Sequence, residues 1–180
     1  MTQTPPDGIP AIFEGKLFRF AWRYAAPDGA TIGWVARFEG PDGNKAVIPF
    51  FERNGAGWRA KGANEPRPLF GLDVLAARGP GEAVFVVEGE KCAAALHGLA
   101  AAAVTSAGGA RAAGKADWTP LARFGRVYIL PDADEAGEAY ARDVTAALAG
   151  LPGQREVFVV RLPNLPEGGD VADWLKALLP

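Results

Sequence analysis

Four apolar runs in the second half of the chain constrain its fold more than any other feature, because they carry no polar alternation. AVFVVE (83–88), AAVTSAGG (102–109), RVYILPDAD (126–134) and REVFVVRL (155–162) each read as a strand buried on both faces. Helical stretches lie between and after them: the Ala-rich GEKCAAALHGLA (89–100), the Asp-led DWTPLARF (117–124), EAGEAYARDVTAALAG (135–150) with its terminal Gly150, and DVADWLKALL (170–179). Strands of this kind interleaved with helices predict a parallel sheet covered by helices, an α/β unit.

The first half has a different rhythm. LFRFAWRY (17–24), TIGWVARFE (31–39) and KAVIPFF (45–51) are separated by Pro-Asp-Gly turns at 27–29 and 41–43, and GWRAK (57–61) reads as a fourth short run. Such turns between β-rich runs predict an antiparallel meander, a small β-rich α+β lobe. GANEPRPLF (62–70) reads as a Pro-broken loop and GLDVLAAR (71–78) as one or two helical turns. The change of pattern around ARGPGEA places the boundary between a lobe of residues 1–80 and a domain of residues 81–180.

Composition narrows the chemistry. With 180 residues and 18.9 kDa the chain has room for one domain plus a small lobe. One cysteine and one histidine exclude an internal disulfide and a Cys/His-rich zinc site. MTQTPPDGIP lacks the basic and apolar regions of a secretory signal, and no apolar run approaches the ~20 residues of a membrane span. A cytoplasmic protein with no membrane partner is expected. The net charge of −2 hides an asymmetry: residues 1–80 are net +2 and residues 81–180 net −4. An acidic half can still handle phosphates where its carboxylates hold Mg²⁺.

The acids are not scattered. Glu88 follows VFVV, Asp132 and Asp134 follow VYIL, and Asp170 with Asp173 follows FVVRLPNLPEGG. In open α/β sheets function collects at the carboxyl ends of the strands, so these residues are expected on one rim, where a hard cation would offset their repulsion. Helix capping is the alternative, with Asp132 or Asp134 capping 135–149 and Asp170 capping 171–179.

The order VFVVEG (84–89), VYILPDADEAG (127–137), GGDVADWL (168–175) resembles the TOPRIM domain of DnaG-type primases, phage primase-helicases, topoisomerases and some nucleases. The resemblance covers about residues 82–178 and implies a TOPRIM-like, Rossmann-like parallel sheet. It implies that Glu88 is an acid/base or metal-positioning residue, that Asp132 and Asp134 are the metal-binding pair, and that Asp170 closes a site for Mg²⁺ or Mn²⁺. DnaG-type primases place an aspartate four residues after the glutamate; this chain has Cys92 there. Ahead of this domain, PDGATIGWVARFEGPDGNK (27–45) and WRAKGANEPRPLFGLDVL (58–75) resemble the strand-rich primase lobe, with Lys61, Asn64, Glu65-Pro66 and Leu69-Phe70-Gly71-Leu72 as the matching pieces. The short interval between Pro66 and Leu69 is similar to the compact primases of phages and mobile elements. By that resemblance Lys61 and Asn64 face template or nucleotide.

The resemblance implies a primase-like nucleotidyltransferase core that makes primers on single-stranded DNA from nucleoside triphosphates, in DNA replication, with a replicative helicase as a candidate partner. A TOPRIM nuclease using the same carboxylates, or a non-catalytic nucleic-acid-binding module, are the alternatives. Arg37, Arg59, Lys61 and Arg67 are candidates to meet phosphates, Trp58 to stack a base and Lys91 to reach a phosphate, against the plainer reading of solvated positions. Cys92 and His97 lie five apart on one helix and so share a face poorly; they read as a core thiol and a surface imidazole. GARAAGKA (109–116) approaches a nucleotide-binding P-loop, but Ala116 stands where a hydroxyl residue is needed for Mg²⁺. It reads as a strand-to-helix turn, with Lys115 in reach of a phosphate.

Overall fold

A computed structural model describes residues 3–52 and 57–178. The chain divides into two compact units between Asn64 and Glu65, which places the boundary earlier than the change of sequence rhythm at residue 80.

The first unit is the expected meander. Strands β1 (Ile12–Phe13), β2 (Lys16–Ala25), β3 (Thr31–Glu39), β4 (Lys45–Glu52) and β5 (Trp58–Ala60) lie in sequence order, each antiparallel to its neighbours. The two Pro-Asp-Gly turns work as their chemistry dictates. The Asp28 and Asp42 carboxylates accept from the amides of Ala30 and Asn44 at 3.0 and 3.1 Å, and Gly29 and Gly43 take φ of 84° and 79°. Phe13, Phe18, Phe38 and Phe50 interlock at ring spacings of 5.6–6.2 Å to form the core of this unit.

In the second unit, β6 (Leu69–Phe70), β7 (Ala83–Val87), β8 (Ala103–Ser106), β9 (Arg126–Leu130) and β10 (Glu156–Val159) form one sheet in the order β10-β9-β7-β8-β6. The β7–β8, β7–β9 and β9–β10 pairs are parallel. Among the described residues four α-helices accompany it: α1 (Leu72–Ala76), α2 (Glu90–His97), α3 (Glu135–Ala149) and α4 (Val171–Leu178). GANEPRPLF is not wholly a loop. Leu69 and Phe70, both buried, pair antiparallel with Ser106 and Thr105, and this edge strand is why the unit begins at Glu65. A two-residue strand carries no periodicity, so only its partner reveals it.

Two short stretches are 3₁₀ helices, Ala110–Lys115 and Thr119–Arg123. The first runs into extended backbone at Ala116, not into the α-helix a P-loop would open, so the near-motif is a turn. Trp118 is buried and donates its indole N–H to the Ala113 carbonyl at 2.8 Å.

Val84, Val86, Val104, Val127 and Ile129 form the apolar sheet surface that packs in one cluster with Tyr140, Val144 and Leu148 of α3, spaced four apart along the helix. The buried Tyr140 hydroxyl lies 3.2 Å from the Ser106 hydroxyl and accepts from the Ser106 amide at 3.3 Å. Tyr140→Phe should lower unfolding free energy by about 1 kcal/mol, because Ser106 loses its buried partner; urea denaturation checks this. Among the described residues no helix is long and apolar enough to cross a membrane.

Candidate active site

Because β7, β8, β9 and β10 run parallel, the segments that leave them gather on one rim of the sheet. Glu88 follows β7 directly. Gly89 after it takes φ 80° and ψ 153°, a backbone that favours glycine, and donates its amide to the Thr105 hydroxyl at 3.0 Å. Asp132 and Asp134 follow β9. Asp170 arrives from a distant loop that is stitched to them by backbone hydrogen bonds. The Ala133 amide donates to the Gly169 carbonyl at 2.9 Å, and the Gly168 amide to the Ala133 carbonyl at 3.0 Å. Gly137 completes the arrangement. A Cβ on it would stand 2.3 Å from the Asp132 carbonyl oxygen, so only glycine lets the first turn of α3 lie against that loop.

The four acids hold different places in this frame. Asp134 caps α3, its Oδ1 accepting from the Gly137 amide at 2.7 Å. Asp170 caps α4 through the Asp173 amide at 2.9 Å, and its other oxygen pairs with the Lys91 ammonium. For these two the capping alternative holds; Asp134 caps through one oxygen, whereas both oxygens of Asp170 are engaged, one by the cap and one by Lys91. Glu88 and Asp132 are different: Glu88 Oε2 and Asp132 Oδ1 are buried with no hydrogen-bond partner. Burial, followed by the charges of Glu88, Asp170 and Asp134, pushes the Asp132 carboxyl up to about 7, with Lys91 opposing. Burial, followed by the charge of Asp134, also raises Glu88.

Unpartnered, buried carboxylate oxygens that repel one another are hard donors suited to a divalent cation. Among the described residues no three acidic, cysteine or histidine side chains form a ready metal cage. The four acids expected from the sequence to share one cation are therefore not gathered into a ready-made set of ligands.

Lys91 stands at this rim, and its ammonium pairs with Asp170 and lies 3.7 Å from Asp173. Burial works against its charge; the hydrogen bond and charge of Asp170 overcome that and hold its pKa above the ordinary lysine value. Cys92, where DnaG-type primases carry an acid, is buried, and desolvation pushes its thiol up to about 12, with the nearby charges of Asp170 and Asp132 adding to the shift. It therefore stands at the site as a neutral group. His97 is not a free surface imidazole: its Nε2 lies 2.8 Å from the Ala103 carbonyl and its ring stacks on Phe70.

The basic candidates separate. In the first unit Arg37 is engaged with Glu39 at 2.7 and 3.0 Å, and Glu39 also takes Arg19. Arg59 and Lys61 are exposed, and Asn64 follows them at the end of the unit. Trp58 opens β5 opposite Glu52, and instead of standing free to stack a base it packs against the Phe-rich core with its ring over Gly8. Arg67 belongs to the second unit. Sequence reasoning assigned no separate role to Thr105, which anchors Gly89, or to Glu65, which pairs with Lys115 and Arg67. Thr105 could have been suspected from a hydroxyl inside an apolar strand; nothing in the sequence signals the Glu65 pairing.

No protein-family model matches the chain, and no curated protein matches it in sequence. Solved structures do. The primase fragment of the bacteriophage T7 primase-helicase protein superposes with a TM-score of 0.60 at 20% identity, over 92% of this chain and 60% of that one. A DNA primase domain from Pseudomonas aeruginosa gives 0.64 at 20%, over 92% of this chain and 48% of that one. This chain has the fold of a primase catalytic core. A DnaG primase catalytic domain bound to single-stranded DNA shares that fold, at a TM-score of 0.56 and 16% identity, over 91% of this chain and 49% of that one. The chain thus spans 60% of the phage fragment and about half of the other two. The resemblance read from VFVVEG, VYILPDADEAG and GGDVADWL agrees with this fold.

Proposed function

We propose that the second unit is a TOPRIM domain and the chain a primase-like nucleotidyltransferase core, acting on single-stranded DNA and nucleoside triphosphates with Mg²⁺ or Mn²⁺. The observation that carries this reading is the pair of buried, unpartnered oxygens on Glu88 and Asp132, at the carboxyl ends of parallel strands, in a primase-core fold. Glu88 and Asp132 would hold a divalent ion, with the second oxygen of Asp134 beside them and Asp170 joining only if its oxygen leaves the Lys91 ammonium. A divalent ion held there would supply positive charge against triphosphate oxygens and Lewis acidity for an in-line displacement. Asp134, fixed by its cap on α3, holds the loop carrying Asp132 in place. Asp170 fixes the Lys91 ammonium at the rim, where it tempers the acidic field. Glu88, with its raised pKa, can take up a proton near neutral pH more readily than an ordinary glutamate.

The test is an incubation of the chain with single-stranded DNA, labelled nucleoside triphosphates and Mg²⁺ or Mn²⁺. New short oligonucleotides are expected on a denaturing gel, and none with Asp134→Asn. Shortening of an end-labelled template without synthesis would instead assign a nuclease. DNA bound with neither product would assign a binding module.

The template strand would meet Arg59 and Lys61, which are exposed on the first unit, and Asn64 beyond them. Arg59→Ala combined with Lys61→Ala should weaken single-stranded DNA binding and reduce the salt slope by about 0.7 for each phosphate no longer neutralised. Fluorescence anisotropy across a salt series measures both, and an unchanged slope would move the strand elsewhere. A replicative helicase as partner, and a phage or mobile-element origin, belong to the same proposal; the T7 fragment that shares the fold comes from a primase-helicase protein.

A further inference from the structure

Beside the acids, the second unit carries a basic pair that the carboxylate site does not use. Arg67 and Lys115 are far apart in sequence but joined through the backbone. The Arg67 amide donates to the Lys115 carbonyl at 2.7 Å, the Asp117 amide donates to the Arg67 carbonyl at 2.8 Å, and Arg67 bridges Ala116 in parallel. The guanidinium then lies across the turn that leaves β8. Its Nη1 donates to the Ala107 carbonyl at 3.3 Å, and a Cβ on Gly108 would stand 2.7 Å from the same nitrogen. Gly108 itself takes φ of 107°, a backbone that favours glycine, and the arginine tip lies close against it. Because β8 is parallel to β7, the turn lies on the rim that carries Glu88.

The pair is held in place without being saturated. Arg67 Nε is buried and has no hydrogen-bond partner. The anion serving both cations is a single carboxylate oxygen, Glu65 Oε1, 3.2 Å from Lys115 Nζ and 3.7 Å from Arg67 Nη2. Glu65 is 55% exposed and Lys115 52% exposed, and ion pairs this solvated contribute little. A phosphate presents the same kind of acceptor oxygen with more charge and more lone pairs, and a planar guanidinium and a lysine ammonium both suit it.

We propose that Arg67 and Lys115 form a phosphate-binding subsite beside the acidic rim, for which the Glu65 carboxylate competes. Its ligand is a phosphate oxyanion, either the polyphosphate tail of a nucleotide or a backbone phosphate of a nucleic acid. A role in substrate binding rests on the nucleotidyl-transfer reading; the binding itself does not. Arg67 supplies the fixed guanidinium and Lys115 the mobile charge. Glu65 sets the threshold, so that a weak or singly charged anion fails to displace it.

The experiment uses the full chain in buffer containing EDTA, so that no divalent ion contributes and the metal reading is left out of the result. Inorganic tripolyphosphate and a short oligodeoxythymidylate are titrated separately by calorimetry into the wild type, Lys115→Ala and Glu65→Gln. Both substitutions lie at exposed positions, and thermal melts confirm that the variants remain folded. Lys115→Ala should weaken binding about 5- to 10-fold, and Glu65→Gln should tighten it about threefold or more. Opposite shifts seen with tripolyphosphate assign the nucleotide tail, and opposite shifts seen only with the oligonucleotide assign the nucleic-acid backbone. If the two variants fail to move in opposite directions with either probe, the subsite is wrong. Failure of the metal reading would show separately, as absence of any Mn²⁺-dependent stabilisation of the wild type.

Discussion

Asp132→Asn is expected to abolish primer synthesis while making the protein more stable above neutral pH. The wild-type carboxyl is pushed up to about 7, by burial first and then by the charges of Glu88, Asp170 and Asp134, from an ordinary value of 3.8. The folded state therefore prefers the protonated acid. The stability this contributes is complete below the ordinary aspartate pKa and is lost as pH rises through about 7. Asparagine never ionises, so the variant should melt with the wild type at pH 4 and above it at pH 8. With allowance for solvent screening at a partly exposed site, the difference should be on the order of 1–2 kcal/mol, or several °C for a chain of this size. Mn²⁺ should reverse the order at pH 8 by stabilising the wild type and leaving the variant unmoved. On the proposed reading of Asp132 as a metal ligand, activity should fall at least about 100-fold. Calorimetry at the two pH values, with and without Mn²⁺, reads the stability arm. A variant less stable than the wild type at pH 8 without metal would show that Asp132 is not electrostatically strained.

Gly137→Ala is expected to damage both the fold and the site, although alanine is the better helix former. A Cβ at 137 would meet the Asp132 carbonyl oxygen at 2.3 Å and the Asp132 amide nitrogen at 2.7 Å, both of them backbone atoms. Neither can swing aside as a side-chain tip would. Either α3 lifts from the loop or the loop shifts and carries Asp132 and the Asp134 cap with it. The overpacking should cost about 1–3 kcal/mol, against a gain of up to ~1 kcal/mol from helix propensity. Because the loop carries Asp132, the proposed metal ligand, primer synthesis should fall further than the loss of folded protein explains. Denaturation with urea measures the first effect, and product formed per folded molecule measures the second. A melting temperature equal to or above that of the wild type would mean that the first turn of α3 can move freely from the loop.

Gly137 also illustrates what sequence can and cannot reveal about this site. As part of DADEAG it is legible as a motif letter, yet its reason is a contact between a helix and the loop ahead of it. The strands and helices were largely legible because they rest on local chemistry. Non-alternating apolar runs placed β7, β8 and β9 and located β10, which is an edge strand with Phe158 and Val159 exposed and not buried on both faces; Asp-Gly turns placed β2 to β4, and Gly150 marked the end of α3. The carboxylates were legible because each follows a strand whose direction is fixed by the parallel sheet. The partnerships of those same residues were not legible. Which acids would cap a helix, and which would keep an oxygen without a partner, depends on the Gly168–Gly169 loop meeting Ala133 across more than thirty residues of chain.

By itself, then, the sequence determined an antiparallel meander followed by a parallel α/β sheet with acids at the carboxyl ends of its strands. Strand direction, turn chemistry and hydrophobic pattern are properties of neighbouring residues. Only the tertiary structure decided that Leu69–Phe70 joins the second sheet, that Trp58 lies against a core, that Arg37 is engaged by Glu39, and that Arg67 and Lys115 meet at Glu65. Each of these is a pairing between residues separated in the chain or turned toward one another by the pleat. Such pairings are set by how elements pack, and no local pattern carries that information.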